Sequence, residues 1–243
     1  MVPRPNDPYR VELTTADGVV LVGSWRAVLD RPSAPAVLLL HDFSRERREW
    51  EPWAAELNGK GFATLAIDLR AHGESTRQKG VSAPIRLSPS LQQNRNGFPR
   101  DVEAACRWLR ERSSAIAVLG VSLGGNLAVL ATGSKWADAA VAVSPNIARL
   151  PALAGSLPRS PNATLVLASE SDPGRAASAK VLMESGQEPK RMLVFAGAAH
   201  NFGLLNLPEA HDAALGWLTE RLGTAPGGGG AAAPGNVPTP GKS

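Results

Sequence analysis

The sequence is almost free of cysteine, since Cys106 is the single one among 243 residues. One cysteine cannot form an internal disulfide, so the fold must be held together by its apolar core. Cys106 shares a helical spacing with Val102, Ala105 and Leu109, which favours a small buried side chain over a nucleophile. The histidines and carboxylates also lack a ligand spacing such as H-E-x-x-H, so we expect no metal and no other cofactor.

Long apolar runs are missing as well. The first residues, MVPRPNDPYRVEL, contain no stretch of the kind found in a secretory signal, which predicts a cytoplasmic protein. The most apolar window, residues 115–131, is shorter than a membrane span and is interrupted by serine, asparagine and glycine. We therefore expect no membrane partner.

Concentrated positive charge is absent too, although the net charge is +4 at pH 7. The basic residues are scattered, and the densest group, Arg45, Arg47 and Arg48, is interrupted by Glu46 and followed by Glu49. Such alternation is typical of a solvated helix face rather than of a surface that follows phosphates, so we expect no nucleic-acid partner. No signal for an oligomeric state is present.

Short apolar runs alternate with longer amphipathic stretches along the chain. After an opening hairpin that turns at Asp17-Gly18, the pattern predicts strands at 36–41, 62–68, 115–120, 139–143, 164–169 and 192–196, and helices at 50–60, 100–112, 123–133, 174–185 and 208–222. This alternation indicates one α/β domain over residues 1–223, with a mostly parallel sheet and helices on both faces. Residues 224–243 are rich in Gly, Pro and Ala and are predicted to be a disordered tail.

The segment Gly120-Val121-Ser122-Leu123-Gly124 is a G-x-S-x-G at the end of a predicted strand and the start of a predicted helix. A serine at such a sharp turn needs neighbours without bulk, because its backbone is strained and the flanking chains approach closely. The helix also directs free N–H groups and its positive dipole end towards the serine. Ser122 is therefore the predicted nucleophile; the alternative is a plain glycine-rich turn.

The serine needs a base, and the chain has four histidines. In a strand–serine–helix architecture of this kind the base follows the final strand, which is where His200 lies. His41 ends an earlier strand, His72 lies in a loop and His211 lies on the last helix. His200 is the predicted base, and a structural or solvated loop histidine is the alternative.

The third member of the site should be a carboxylate after the preceding strand, where it would orient the imidazole and stabilise its charged form. The sequence LVLASESDP offers Glu170 and Asp172 there. We favour Asp172, which also stands where an N-terminal helix cap is expected, and Glu170 remains the competitor.

Five segments, in chain order LLLHDFS, IDLRAHGES, GVSLG, ASESDP and FAGAAH, together resemble the α/β-hydrolase superfamily. The resemblance covers residues 10–222 and implies a three-layer α/β-hydrolase fold without a large cap domain. It is strongest to small bacterial members grouped with dienelactone-hydrolase-like and esterase-like proteins. Dienelactone hydrolases themselves use a cysteine nucleophile, and Ser122 departs from that pattern.

The resemblance also implies an oxyanion hole, made by the backbone N–H groups of Leu123 and Phe43. Asp42 stands where the family usually has glycine. A carboxylate near a developing oxyanion is unfavourable, so we expect Asp42 to point away or to pair with Arg45 or Arg70. The residues Asp68, Arg70 and His72 of IDLRAHGES are expected to fix loops rather than to contact substrate.

Together these features predict a serine esterase acting on a small-molecule ester, thioester or lactone. Alternatives are a peptidase with the same triad and a catalytically silent homologue that acts as a binding protein. The Pro-rich connection over residues 144–163 has room for at most one or two helical turns, which is too little for a helical lid and predicts short acyl chains. Residues 74–97 carry enough apolar side chains to form a flap over part of the site, with a plain surface loop as the alternative.

Overall fold

The computed structural model describes residues 7–43, 45–87, 97–146, 163–197 and 199–223. Nine strands are found in this part of the chain: β1 (Arg10–Thr14), β2 (Val19–Arg26), β3 (Ala36–Leu40), β4 (Ala63–Ile67), β5 (Arg77–Gln78), β6 (Ile116–Val121), β7 (Ala139–Val143), β8 (Thr164–Ser169) and β9 (Lys190–Phe195). The helices are α1 (Glu51–Gly59), α2 (Phe98–Arg110), α3 (Leu123–Gly133), α4 (Pro173–Ser185), α5 (Phe202–Leu205) and α6 (Pro208–Leu222), with a 3₁₀ turn at Arg47–Trp50.

The strands form one sheet in the order β1-β2-β4-β3-β6-β7-β8-β9, with β5 paired to β2. The strands from β4 to β9 in this order run parallel, whereas β1, β2 and β5 join through antiparallel pairs. All residues of β3, β4, β6, β7 and β8 are buried, as expected for strands covered on both faces. The predicted mostly parallel sheet is confirmed.

Helices cover both faces of this sheet and give it three layers. On one face, α2 and α3 pack through residues such as Val102, Leu109 and Leu127. On the other face, α1 and α6 contribute buried side chains such as Leu57 and Trp217. Cys106 is buried in the first of these layers, as its spacing predicts, and burial raises the pKa of its thiol to about 12.

The ends of the elements follow from local chemistry. The opening hairpin turns at Asp17-Gly18, where glycine has a φ of +83°. Helix α1 is closed by Gly61, also with positive φ, and the N–H of Phe62 donates back to Leu57 at 3.1 Å. The hairpin turn is as the sequence predicts, whereas β5, the 3₁₀ turn and α5 are too short for a periodic pattern to reveal.

Within the described ranges no large cap domain interrupts the sheet and its helices. No helix in those ranges is long and apolar enough to cross a membrane. The predicted tail at 224–243, and most of the connection predicted to lack a lid, lie outside the described residues. The predicted flap is described up to Leu87, and there it forms β5 and packs Ile85 against the core.

Candidate active site

Ser122 lies between the end of β6 and the start of α3, in the position predicted for a nucleophile. Its φ is +51° and its ψ is −107°, a backbone conformation that side-chain-bearing residues rarely adopt. Its N–H donates to the carbonyl of Val143 at 2.9 Å, and its carbonyl accepts from the N–H of Asn126 at 3.0 Å. Strain that is kept in place by surrounding bonds is a common property of functional turns.

The glycines around Ser122 are required by the close approach of other backbone atoms. A Cβ at Gly120 would lie 2.1 Å from the carbonyl oxygen of Gly124, and one at Gly124 would lie 2.1 Å from the oxygen of Leu40. At Gly125 a Cβ would lie 2.8 Å from the oxygen of Val143. The expectation that this turn needs residues without bulk is confirmed at all three positions.

The sheet register brings the candidate residues to one edge. Leu40 on β3 is paired with Gly120 on β6, so Asp42 and Phe43 leave the sheet beside Ser122. Asp172 follows β8, and His200 follows the adjacent β9. Parallel strands end at a common edge, where open α/β sheets bind their ligands.

The three predicted triad residues lie at one edge of the sheet, but their side chains are not hydrogen-bonded to one another as those of a triad would be. Ser122 and Asp172 are partly buried and His200 is exposed. Asp172 caps α4 by accepting from the N–H of Arg175 at 3.0 Å, and its other oxygen lies 2.9 Å from Arg175 Nε. Among the described residues no hydrogen bond joins Ser122, His200 and Asp172. The triad therefore stays a prediction, with an exposed Glu170 as the alternative acid.

The two N–H groups predicted to form an oxyanion hole point at the same atom. Phe43 N–H donates to Asp42 Oδ1 at 2.6 Å, and Leu123 N–H donates to the same oxygen at 3.5 Å. The second oxygen, Oδ2, accepts from the Asn201 side-chain amide at 2.8 Å. The expected pairing of Asp42 with an arginine side chain is wrong, because its carboxylate turns towards these N–H donors.

The two arginines expected near Asp42 are engaged elsewhere. The Arg45 guanidinium lies 3.2 Å from Glu49, and Arg70 pairs with Asp17 and Asp101 at 2.7 and 2.8 Å. Burial raises the pKa of Asp101 to about 6, although Arg70 opposes that rise. Arg70 thus fixes the loop after β4, as the sequence predicts for this segment.

The rest of IDLRAHGES also fixes loops. The buried Asp68 accepts from the backbone N–H groups of Arg47 and Glu74 at 2.8 and 2.9 Å and pairs with the Arg47 guanidinium. His72 Nδ1 donates to the carbonyl of Arg70 at 2.9 Å. Burial lowers the pKa of His72, so this histidine is a neutral loop support rather than a second base.

His41 holds the backbone that carries Asp42. Its Nε2 accepts from the Leu69 N–H at 3.0 Å, so Nδ1 bears the proton and donates to the Asp42 carbonyl at 2.6 Å. Burial, reinforced by the neighbouring His72, lowers the pKa of His41 to about 4. A histidine in this state orients the β3 loop and does not act as a base near neutral pH.

Two residues that the sequence analysis did not single out connect the parts of the site. Asn201, which follows His200, donates to Asp42 through its side chain and to Ser144 Oγ through its N–H at 3.2 Å. Arg175 bonds Asp172, the Ser144 carbonyl and the Asn201 side-chain oxygen. The position of Asn201 directly after the predicted base was the only signal in the sequence, and nothing marked Arg175.

A cavity of about 440 Å³ borders His72, whose ring Phe43 contacts. It is lined by Arg45, Glu46, Glu49, Ala71, His72, Gly73 and Leu87. The Phe43 ring stands edge-on to His72, with 5.4 Å between ring centroids. Burial raises the pKa of Glu49; the Arg45 charge opposes that rise, and the charges of Asp42 and Glu46 add to it. Two carboxylates and one guanidinium therefore line this cavity.

The sequence pattern of the alpha/beta hydrolase family matches residues 37–238, which include all five predicted motifs. The chain belongs to this family. Among curated proteins, 2-succinyl-6-hydroxy-2,4-cyclohexadiene-1-carboxylate synthase of Salmonella heidelberg is 33% identical over 103 residues, 42% of this chain. The match spans about a third of that synthase's length (34%).

Solved structures with the same fold include two esterases and a dienelactone hydrolase. An esterase of Pyrococcus furiosus has a TM-score of 0.67 at 22% identity, over 88% of this chain and 91% of that one. Dienelactone hydrolase of Anabaena variabilis gives 0.65 at 22%, over 88% and 97%, and acetyl xylan esterase of Paenibacillus sp. R4 gives 0.64 at 20%, over 91% and 87%. At these identities the likeness shows the α/β-hydrolase fold alone.

Proposed function

We propose that the chain is a serine esterase that hydrolyses short-chain carboxylic esters, thioesters or lactones through an acyl-enzyme on Ser122. His200 is the base, Asp172 orients it, and the N–H groups of Phe43 and Leu123 bind the oxyanion. No metal or other cofactor takes part in this scheme.

The observation that carries the proposal is the meeting of two N–H groups beside the strained serine. The N–H groups of Phe43 and Leu123 come from different strand ends yet bond one oxygen, Asp42 Oδ1. Two preorganised N–H donors at one point are what acyl transfer needs, because the tetrahedral intermediate places a full negative charge on a former carbonyl oxygen. The adjacent Ser122, with φ at +51°, supplies the attacking oxygen.

The proposed reaction has two steps, acylation of Ser122 and hydrolysis of the acyl-enzyme. His200 takes the proton from Ser122 Oγ as this oxygen bonds the ester carbonyl carbon, and the imidazolium then gives that proton to the departing alcohol. Water, deprotonated by the same histidine, attacks the acyl-enzyme; the acid leaves and Ser122 regains its proton. A carboxylate on the far imidazole nitrogen stabilises the charged form in both steps.

Short acyl chains are expected because the connection over residues 144–163 is short and Pro-rich, with room for at most one or two helical turns in place of a lid. Without a lid a long acyl chain has little apolar wall to bury against, so each further methylene adds little binding. Chromogenic esters of two to sixteen acyl carbons test this, with Ser122→Ala as the matched control. We expect the highest kcat/KM at roughly two to six carbons and no jump when micelles form. A maximum at long chains with interfacial activation would contradict the lidless interpretation.

A catalytically silent binding protein is the second candidate, and two side-chain contacts support it. Asp42 fills the point where an oxyanion would lie, and Asp172 is paired with Arg175. A silent homologue would turn over none of a panel of esters, thioesters, lactones and peptides above the Ser122→Ala background. Activity confined to the peptides of that panel would instead make the chain a peptidase.

A further inference from the structure

The Asp42 carboxylate stands in the place that a substrate oxygen would need. Oδ1 is 2.6 Å from the N of Phe43 and 3.5 Å from the N of Leu123, and Oδ2 is 2.8 Å from Asn201 Nδ2. A carboxylate oxygen resembles an oxyanion in charge and size. The structure thus holds a mimic of the reaction intermediate that belongs to the chain itself.

This carboxylate and a substrate cannot use the two donors together. A carbonyl oxygen that entered beside Asp42 would find both N–H groups already engaged. As it became an oxyanion it would also face a second negative charge at contact distance, in a partly buried site where Coulomb repulsion is poorly screened. The hole has to be vacated before the reaction can begin.

The contacts of Asp42 divide into a fixed part and a removable part. Its backbone is held, because its carbonyl accepts from His41 Nδ1 at 2.6 Å and from the Arg45 N–H at 3.2 Å. Its carboxylate is held by hydrogen bonds alone, without an arginine or lysine partner among the described residues. Burial raises the pKa of Glu49, and the Asp42 charge adds to this rise while Arg45 opposes it, so the Asp42 carboxylate also has a like-charged neighbour.

We propose that Asp42 blocks the oxyanion hole of the unliganded protein and that its side chain must rotate out before an ester carbonyl can bind. This inference rests on the proposed function, since it assigns the hole to Phe43 and Leu123. Asp42 then slows every acylation of Ser122, and the unliganded protein reacts more slowly than it would without this carboxylate. Asn201 donates to the second oxygen of Asp42, Oδ2, and therefore links the blocked conformation to the loop that carries His200.

The test is the second-order rate at which a fluorophosphonate labels Ser122, measured on the full chain. Asp42→Ala removes the carboxylate without demanding a new backbone conformation, and we expect it to label at least tenfold faster than the parent. Asp42→Asn, which keeps an acceptor but no charge, should fall between them. Glu49→Gln is the matched control: it removes a neighbouring charge that lies outside the hole, and its rate should stay within threefold of the parent.

The outcomes separate this inference from the proposed function. If the parent is labelled at Ser122 and folded Asp42→Ala is no faster, the esterase stands and the blocking role is overturned. If neither protein is labelled, both proposals fall together. A second readout does not need activity: the amide resonance of Leu123, remote from Asp42 in sequence, should shift in Asp42→Ala but not in Glu49→Gln. An unmoved Leu123 resonance would overturn the blocking contact directly.

Discussion

Ser122 follows a strand in which all six residues are buried, whereas His200 follows a strand in which none of the six is buried. The nucleophile side of the site is held by backbone atoms in contact, through Gly120, Gly124 and the oxygen of Leu40. The acid and base side is held by polar side chains, with Arg175 bonded to both Asp172 and Asn201.

The difference shows where the site is rigid and where it can rearrange. Close-packed backbone has one arrangement, because a shift of even a few tenths of an ångström meets repulsion. Hydrogen bonds near water exchange partners at small net cost, since each contributes only about 1 kcal/mol. We therefore expect the nucleophile to be in place in the resting protein, and the contacts of Asp172, His200 and Asp42 to change when substrate binds.

The largest effect is expected from removing the reacting side chain on either side of the site, Ser122 or His200. Ser122→Ala and His200→Ala should each lower kcat by about four to six orders of magnitude, because the two act as one unit. Circular dichroism and melting temperature should stay near the parent values, since both side chains lie at the sheet edge. Retained turnover in a folded His200→Ala would remove that residue from the mechanism.

A smaller loss is expected from the acid. Asp172→Asn should lower kcat by about two to four orders of magnitude, since it disturbs the tautomer and the charge of the imidazole but leaves the attacking pair. Glu170→Gln is the matched control two residues away and should retain near-parental kcat. The reverse result, an active Asp172→Asn and a dead Glu170→Gln, would assign the acid to Glu170.

The rigidity of the nucleophile side can be tested through stability. A Cβ at Gly124 meets the Leu40 carbonyl oxygen at 2.1 Å, so Gly124→Ala should cost about 3 kcal/mol of unfolding free energy. Gly216 lies inside α6 with nothing within 4 Å of a Cβ, so Gly216→Ala should instead add about 0.5–1 kcal/mol. Urea unfolding of the two variants measures both. Equal changes in unfolding free energy at the two positions would show that the backbone of the Ser122 turn can shift to accommodate a methyl group.

The smallest effect concerns pH and the loop that carries Asp42. His41 has its pKa lowered to about 4, from an ordinary value of 6.5. Between these values the unfolded chain binds a proton that the folded chain refuses, so His41 lowers the melting temperature as pH falls from 6.5 towards 4, while Asp101, whose pKa is raised to about 6, acts in the opposite direction. His41→Gln, which can still accept from the Leu69 N–H, should flatten this slope, with His72 retaining part of it. An unchanged slope would mean that His41 is not kept neutral by the fold.

Strand and helix positions were largely predictable, because the core strands are short, mostly apolar runs and amphipathic stretches alternate with them along the chain. The predicted helices 123–133 and 208–222 match α3 and α6 residue for residue. The serine turn was predictable as well, since only glycine tolerates contacts as close as those around Ser122.

The polar side chains could not be placed from the sequence. Asp42 was expected to turn away or to pair with an arginine. Its carboxylate instead accepts from the N–H of the next residue, Phe43, and from that of Leu123, which is distant in sequence. Arg175 gave no signal either, because a helix arginine near an aspartate is ordinary in any sequence. Such contacts depend on which loops come together at the edge of the sheet, and a local sequence pattern does not predict which loops these are.

The most direct test of the account is to find where a fluorophosphonate bonds. The purified protein should give one adduct of one probe mass, and peptide mapping should place it on Ser122. Ser122→Ala should give none, and denaturing the protein beforehand should abolish the labelling. An adduct on another residue, or an unlabelled folded protein alongside an unlabelled Asp42→Ala variant, would contradict the assignment of Ser122 as the nucleophile of a serine esterase.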